Sequence, residues 1–315
     1  MEGVSSNSRL TTALPRGKVE MLSRSHLPRE RVEPMFELKH QKLAPLLLFF
    51  SALLWSTSGI FTKSVEWSGM SLAVLKGVIA FFAFLLISRG RKIRITPKKL
   101  LAAFCYFVQG TLFMLANKLT TAANATVLEN TSPLWIILFG AVLLRKRPTR
   151  LEAITCACLF LGVTLAFAGN MGGGSWLGNS ISLISAAFYA GVFFLSKDDA
   201  VDPIETLVLG NAMYLPLIPL LLSDPVIPVT PAAQWVFLLA FALLGGAGAW
   251  LCFSLGIKHT GALQANFITM SEPVMAPLWT FLFLGEKLSP MSLIGCAIVI
   301  GTLLVYHVRS SKLKT

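Results

Sequence analysis

From residue 43 onward the chain alternates long apolar runs with short polar segments. The runs fall at roughly 43–62, 70–88, 98–116, 121–144, 150–169, 177–196, 203–222, 232–256, 261–284 and 289–308. About 18–23 helical residues cover the ~30 Å hydrocarbon core of a bilayer, so the pattern predicts ten membrane-spanning helices. Proline stands near the first turn of several runs, at Pro45, Pro97, Pro148, Pro203, Pro231 and Pro290. A first-turn residue has no intrahelical partner for its N–H, so the proline ring takes nothing away there. Residues 1–42 are polar, mixed in charge and rich in Ser, Arg and Pro, with no apolar stretch of signal-peptide kind. They are expected to form a disordered tail, and Met35 is a candidate initiator just ahead of the first run.

Composition agrees with the pattern: 55% of residues are apolar and 13% charged, against about 25% charged in soluble domains. The net charge of +12 is of a size that also occurs in nucleic-acid-binding chains, but the 27 Lys and Arg sit in short loops and tails. With the N-terminus taken as cytoplasmic, that side carries Arg89, Arg91, Lys92, Arg94, Lys98, Lys99, Arg145, Lys146, Arg147, Arg150, Lys197, Lys258, Arg309, Lys312 and Lys314. The opposite side carries Lys63, Lys118 and Lys287. Basic residues in short loops set topology, so both termini are expected in the cytoplasm. The five cysteines all lie inside apolar runs, where they act as small apolar fillers.

Sliding the chain by 140 residues superposes Lys118, Thr120, Ala122, Ala125, Pro133, Leu138, Leu144, Ile154, Cys156 and Ala157 on identical residues at Lys258, Thr260, Ala262, Ala265, Pro273, Leu278, Leu284, Ile294, Cys296 and Ala297. Earlier in each half, Ser51-Ala52-Leu53-Leu54-Trp55 echoes Ser185-Ala186-Ala187-Phe188-Tyr189 at a spacing of 134. Five runs per half is an odd number, so the second copy is inverted in the membrane. This is the sequence mark of alternating-access carriers.

With these motifs in hand, the sequence resembles the drug/metabolite transporter superfamily and, within it, the ten-span family built from two EamA-type repeats. The resemblance rests on Asn130-Thr131-Ser132-Pro133-Leu134-Trp135 in the fourth run, on Ser271-Glu272-Pro273-Val274 in the ninth, and on Leu284-Gly285-Glu286-Lys287-Leu288-Ser289 after it. It covers residues 43 to about 308 and implies secondary transport, commonly export, of amino acids, amines or other small metabolites without ATP. Two positions depart from the family pattern. The first-half turn reads Leu144-Arg145-Lys146-Arg147-Pro148 in place of Gly-Glu-Arg-Leu, and Lys76 stands where relatives carry arginine, which keeps the charge but loses the planar fork.

Ionisable side chains within spans carry the most information, since each costs roughly 2.5–3.5 kcal/mol at a helix centre on insertion scales. Glu129 and Glu272 lie some 12–17 Å deep at 1.5 Å per residue, as substrate partners or, for Glu129, as a proton carrier. A hydrogen-bonded structural glutamate is the plainer alternative. Lys76, nearer the outer end, is a gating or substrate residue or a side chain that snorkels to the interface. Asn130 with Thr126, and Asn266 with Thr269, extend polar faces beside the two glutamates, unless they simply hydrogen-bond neighbouring helices. Trp55, Phe113, Tyr189, Tyr214 and Trp250 are the aromatic cavity candidates, with Trp135 and Phe253 behind them.

Other motifs lead elsewhere and carry less. Gly173-Gly174-Ser175-Trp176-Leu177-Gly178-Asn179-Ser180 has phosphate-loop glycine spacing, but Asn179 replaces the required lysine and no strand precedes it. Asp199-Ala200-Val201-Asp202 is a single acidic pair, a thin basis for a Mg²⁺-dependent prenyltransferase. The later spans hold no buried Arg or Lys to meet a phosphorylated sugar.

The reading is therefore an all-α integral membrane protein of ten transmembrane helices in two inverted five-helix repeats, residues 43–170 and 171–308, between tails 1–42 and 309–315. It sits in the plasma or inner membrane as a secondary exporter of small organic solutes, with a channel, scramblase or intramembrane enzyme as the alternative. The expected partners are the bilayer and a small-molecule substrate, with no cofactor, metal or nucleic acid, and a monomer suffices.

Overall fold

A computed structural model describes residues 43–63, 65–89, 92–120, 122–167, 175–275, 279 and 290–312. The polar tail 1–42, Met35, Gly173, Gly174 and the 284–289 motif lie outside the described residues. The elements are α1 (Ala44–Ser56), α2 (Ser58–Lys63), α3 (Gly69–Ile87), α4 (Pro97–Leu119), α5 (Ala122–Glu129), α6 (Ser132–Leu143), α7 (Arg150–Phe167), α8 (Trp176–Leu195) and α9 (Pro203–Ala212). After a 3₁₀ segment, Leu215–Ser223, come α10 (Ala232–Ala240), a π-helical stretch Phe241–Gly248, α11 (Ala249–Ile257), α12 (Ala262–Thr269) and α13 (Pro290–Lys312). The last helix runs into the segment expected as a tail.

Among the described residues, five helical stretches are long and apolar enough to cross a bilayer: Gly69–Ile87, Pro97–Leu119, Asn124–Leu143, Trp176–Leu195 and Ala232–Ile257. A sixth is added if Pro203–Ala212 and Leu215–Ser223, bent by 41° at their junction, form one span. Pro216 and Pro219 account for that bend, because each removes an amide and forces the chain into tighter 3₁₀ turns. Large apolar side chains face outward, among them Leu86 (68% exposed), Val142 (66%), Leu143 (65%), Leu304 (63%) and Ile154 (62%). So much outward apolar surface is stable against lipid and not against water.

Helix starts follow the sequence chemistry. Ser68, Thr96 and Asp202 cap α3, α4 and α9, each accepting from the amide three residues on. Thr149 and Glu152 form a reciprocal capping box ahead of α7, with bonds of 2.8 and 3.2 Å. Asp202, half of the acidic pair that raised the enzyme alternative, is therefore engaged as a cap.

The fourth and ninth runs are each broken, and at matched positions. The breaks separate Ala122–Glu129 from Ser132 and Ala262–Thr269 from Glu272, which are the same bounds 140 residues apart. The bonding matches as well. Thr131 Oγ1 donates to the Leu128 carbonyl at 2.6 Å, and Ser271 Oγ to the Ile268 carbonyl at 2.9 Å. The Leu134 and Val274 amides reach back to the Thr131 and Ser271 carbonyls. Pro133 and Pro273, lacking an N–H, explain why neither helix runs straight through.

Loop contacts sort into two groups. In one, Lys118 Nζ donates to the Val65 carbonyl (2.8 Å), Trp67 Nε1 to Thr230 Oγ1 (2.6 Å), the Ser68 amide to Asp224 (3.1 Å) and Ser71 Oγ to Asp224 (2.6 Å). Burial works against the charge of Asp224, but bonds from Ser71, Ser68 and the Val226 amide outweigh it and hold the carboxyl below the ordinary range. In the other group, Lys98 pairs with Asp198 (2.5 Å), Lys99 with Glu205, Lys197 with the Ile257 and Lys258 carbonyls, and Lys258 with the Asp198 carbonyl.

Candidate functional site

Lys76, Gln109, Glu129 and Glu272, from four different helical segments, line one cavity. Its wall is built from Trp55 on α1, Lys76 on α3, Gln109, Gly110, Phe113 and Met114 on α4, Thr126, Glu129 and Asn130 at the first helix break, and Tyr189 on α8. Phe241 and Gly245 of the π-helical stretch, Trp250 on α11, and Thr269 and Glu272 at the second break complete it, with Ser58 at one edge. Among the described residues, none of α7 or α13 lines it. The cavity has room for about 50 Å³, enough for a few waters.

Glu129 is buried, at 5% exposure. Oε1 accepts from Gln109 Nε2 at 2.7 Å and from Ser185 Oγ at 3.1 Å, whereas Oε2 is buried with no hydrogen-bond partner among the described residues. One oxygen is fixed and the other is left to meet a cation, a proton or a donor group, since a buried carboxylate oxygen is costly to leave unpaired. Lys76 turns inward, in contrast to the snorkelling alternative: its Nζ lies 5.5 Å from the centre of the Phe241 ring. Its stem passes Gly246, where an added Cβ would sit 3.5 Å from Cγ. That is ordinary van der Waals distance, so the lysine stem packs along the π-helical stretch.

Trp55, Tyr189 and Trp250 form an aromatic corner, with ring centres 4.9 Å apart for Trp55–Trp250, 6.0 Å for Trp55–Tyr189 and 6.4 Å for Tyr189–Trp250. Trp55 and Tyr189 stand at matching places in the two similar segments 51–55 and 185–189, and both reach this wall. The repeat is uneven in polarity. Thr269 stands at the counterpart of Glu129, and Ser51, the counterpart of Ser185, is fully buried with its hydroxyl unpartnered.

Of the ten residues singled out from sequence, Trp55, Lys76, Phe113, Glu129, Asn130, Tyr189, Trp250 and Glu272 line this cavity. Tyr214 and Asn266 do not. The Tyr214 ring lies against Gly77, where a Cβ would come within 2.1 Å of it, and its hydroxyl donates to the Phe107 carbonyl at 3.1 Å. Asn266 Nδ2 donates to Ser132 Oγ at 2.9 Å and thereby ties the two broken helices together. Both are buried and hydrogen-bonded, and for Asn266 that is the bond between helices given above as the plainer alternative. Gln109, Ser185 and Phe241 are new to the site. A lone amide in Phe107-Val108-Gln109-Gly110 is the same signal that marks Glu129, while nothing in the sequence separates Phe241 from 21 other phenylalanines.

Comparison with known proteins gives the family. The model of the EamA-like transporter family matches twice, at residues 42–168 and 176–307. The chain belongs to the EamA-like transporter family. Its two EamA-like regions hold every residue of the cavity, and relatives in the family are named as transporters. An uncharacterized transporter of Archaeoglobus fulgidus is 25% identical over 82% of this chain and 94% of its own length. The uncharacterized transporter YwfM of Bacillus subtilis is 27% identical over 86% and 95%, and the uncharacterized inner membrane transporter YicL of Salmonella typhimurium 25% over 85% and 96%. A crystal structure 20% identical in sequence has the same fold, with a TM-score of 0.74 over 88% of this chain and 100% of that one. This EamA-like chain is thus a multi-pass membrane transporter.

Proposed function

We propose that the protein is a secondary transporter that exports small organic solutes bearing an ammonium group, such as amines and amino acids, by alternating access. On this reading it has ten spans in two inverted repeats, 43–170 and 171–308, with both termini cytoplasmic. The matched helix breaks support the repeat. The sorting of loops into two bonded groups supports the alternation of spans, because the group holding residues 94–99, 197–205 and 258 is the one with most basic residues.

The observation that carries the functional reading is the free Oε2 of Glu129 inside an aromatic-walled cavity between the repeats. With Glu129 and Glu272 against Lys76, carboxyl groups outnumber cations on the wall, and the faces of Trp55, Tyr189 and Trp250 suit an ammonium group. A cavity of about 50 Å³ is far below the roughly 300 Å³ and more of small-molecule sites. Loading a solute therefore requires helices to part, which fits a site opened to one side at a time. Glu129 holds the substrate ammonium in one state and a proton in the other.

Purified protein in liposomes, given an imposed pH gradient, should take up radiolabelled amines or amino acids in a saturable way. Glu129→Gln should abolish gradient-driven uptake while the protein remains monodisperse. Full uptake by that variant, or flux that never saturates, would refute the carrier role.

A further inference from the structure

A second recess lies away from the cavity, on the outer surface between α7 and α13. The two helices touch near Gly162, where an added Cβ would sit 2.8 Å from Val299 Cγ2 and 3.1 Å from the Gly295 carbonyl oxygen. Toward the other end they part, and at Gly301 an added Cβ would meet nothing within 4 Å. The resulting groove encloses about 530 Å³ between Ile154, Thr155 and Cys158 on one helix and Ile298, Gly301 and Val305 on the other, with Arg150 and Arg309 at its mouth. From Ala297 to Arg309 it runs twelve residues along α13, ~18 Å at 1.5 Å per residue.

Both arginines are exposed, and among the described residues neither makes an ion pair. Glu152, the nearest acid in sequence, is already committed to Thr149, accepting from its amide at 2.8 Å and its hydroxyl at 2.9 Å. Two guanidinium forks above a long apolar trough, on a protein that lives in a bilayer, complement a molecule with an anionic phosphate at one end and a hydrocarbon chain at the other. Arg145, Lys146 and Arg147 precede α7 and add charge of the same sign at that end. We propose that this groove binds one anionic phospholipid, its phosphate between Arg150 and Arg309 and an acyl chain lying along Gly301. The lipid bridges the last helix of one EamA-like region to the last helix of the other.

Native mass spectrometry of the full chain tests the site, with phosphatidylglycerol and phosphatidylcholine as competing probes. One phosphatidylglycerol should be retained per chain with about tenfold preference. The double variant Arg150→Gln, Arg309→Gln should erase the preference, and Gly301→Phe, which fills the trough, should lower retention of both lipids. Should Gly301→Phe fail to fold, the surface double variant decides alone. The site is refuted if the wild type retains both lipids equally, or if the double variant keeps its preference. It is also refuted if glycerol phosphate displaces the lipid, which would mark a headgroup site without chain binding. A dimer that dissociates in Gly301→Phe with no lipid bound would instead assign the groove to a second copy of the chain.

Discussion

Glu129 and Arg145 show how much a single position reveals and how much its neighbours decide. A carboxyl in an apolar run is legible at once, because nothing else in such a run carries comparable insertion cost. That one of its oxygens is fixed by Gln109 and Ser185 while the other stays free depends on three helices meeting, and no local pattern encodes that. The aromatic corner has the same character, since Trp55 and Trp250 are 195 positions apart yet have ring centres 4.9 Å apart. Under the amine reading, Trp250→Leu should raise KM about tenfold with kcat less affected, measured by counterflow in liposomes. Arg145 adopts φ 52°, a left-handed conformation that disfavours side chains, and its counterpart in the second half is Gly285. Arg145→Gly should therefore raise unfolding stability by about 1 kcal/mol, read as a higher midpoint in a detergent thermal melt.

At the scale of elements, apolar periodicity and length gave helix positions within a few residues, because a span is a long signal with clear polar ends. The interruptions were harder. The prolines at 133 and 273 were visible, but whether a proline kinks a helix or breaks it rests also on the tight turns beside it, which the Thr131 and Ser271 hydroxyls close by bonding the Leu128 and Ile268 carbonyls. Tyr214 is not among the lining residues: it sits at a 41° bend ahead of Leu215, with its ring on Gly77 and its hydroxyl beside Gly110. Asp224 fastens the loop after the 3₁₀ segment to the start of α3, where a carboxylate also meets the positive end of the helix dipole. Its folded-state value lies below the ordinary one, so its contribution is complete at neutral pH and is lost only as pH falls through that depressed value. Hydrogen–deuterium exchange at residues 224–230 should thus be slow at pH 7 in the wild type. In Asp224→Asn it should be fast at the same pH.

For the whole molecule, ten identities at a constant offset pointed to two similar stretches, and the two EamA-like matches and the breaks at matched positions agree with that. The cavity's composition was legible in part, because each half contributes groups that are conspicuous within their own spans. Its dimensions were not, since volume is set by how five or more helices pack. Cysteines placed at residue 40 and residue 313 of a cysteine-free background should be labelled from the same side of the membrane by an impermeant maleimide. Labelling from opposite sides would remove the inverted repeat.

The buried hydroxyl of Ser51 has an implication of its own. Ser51 and Ser185 stand at matching places in two similar stretches of sequence, and of the two only Ser185 meets an acid among the described residues. In a chain with Glu129→Thr and Thr269→Glu the moved carboxyl should take a hydrogen bond from Ser51, and the further change Ser51→Ala should then lower its melting midpoint.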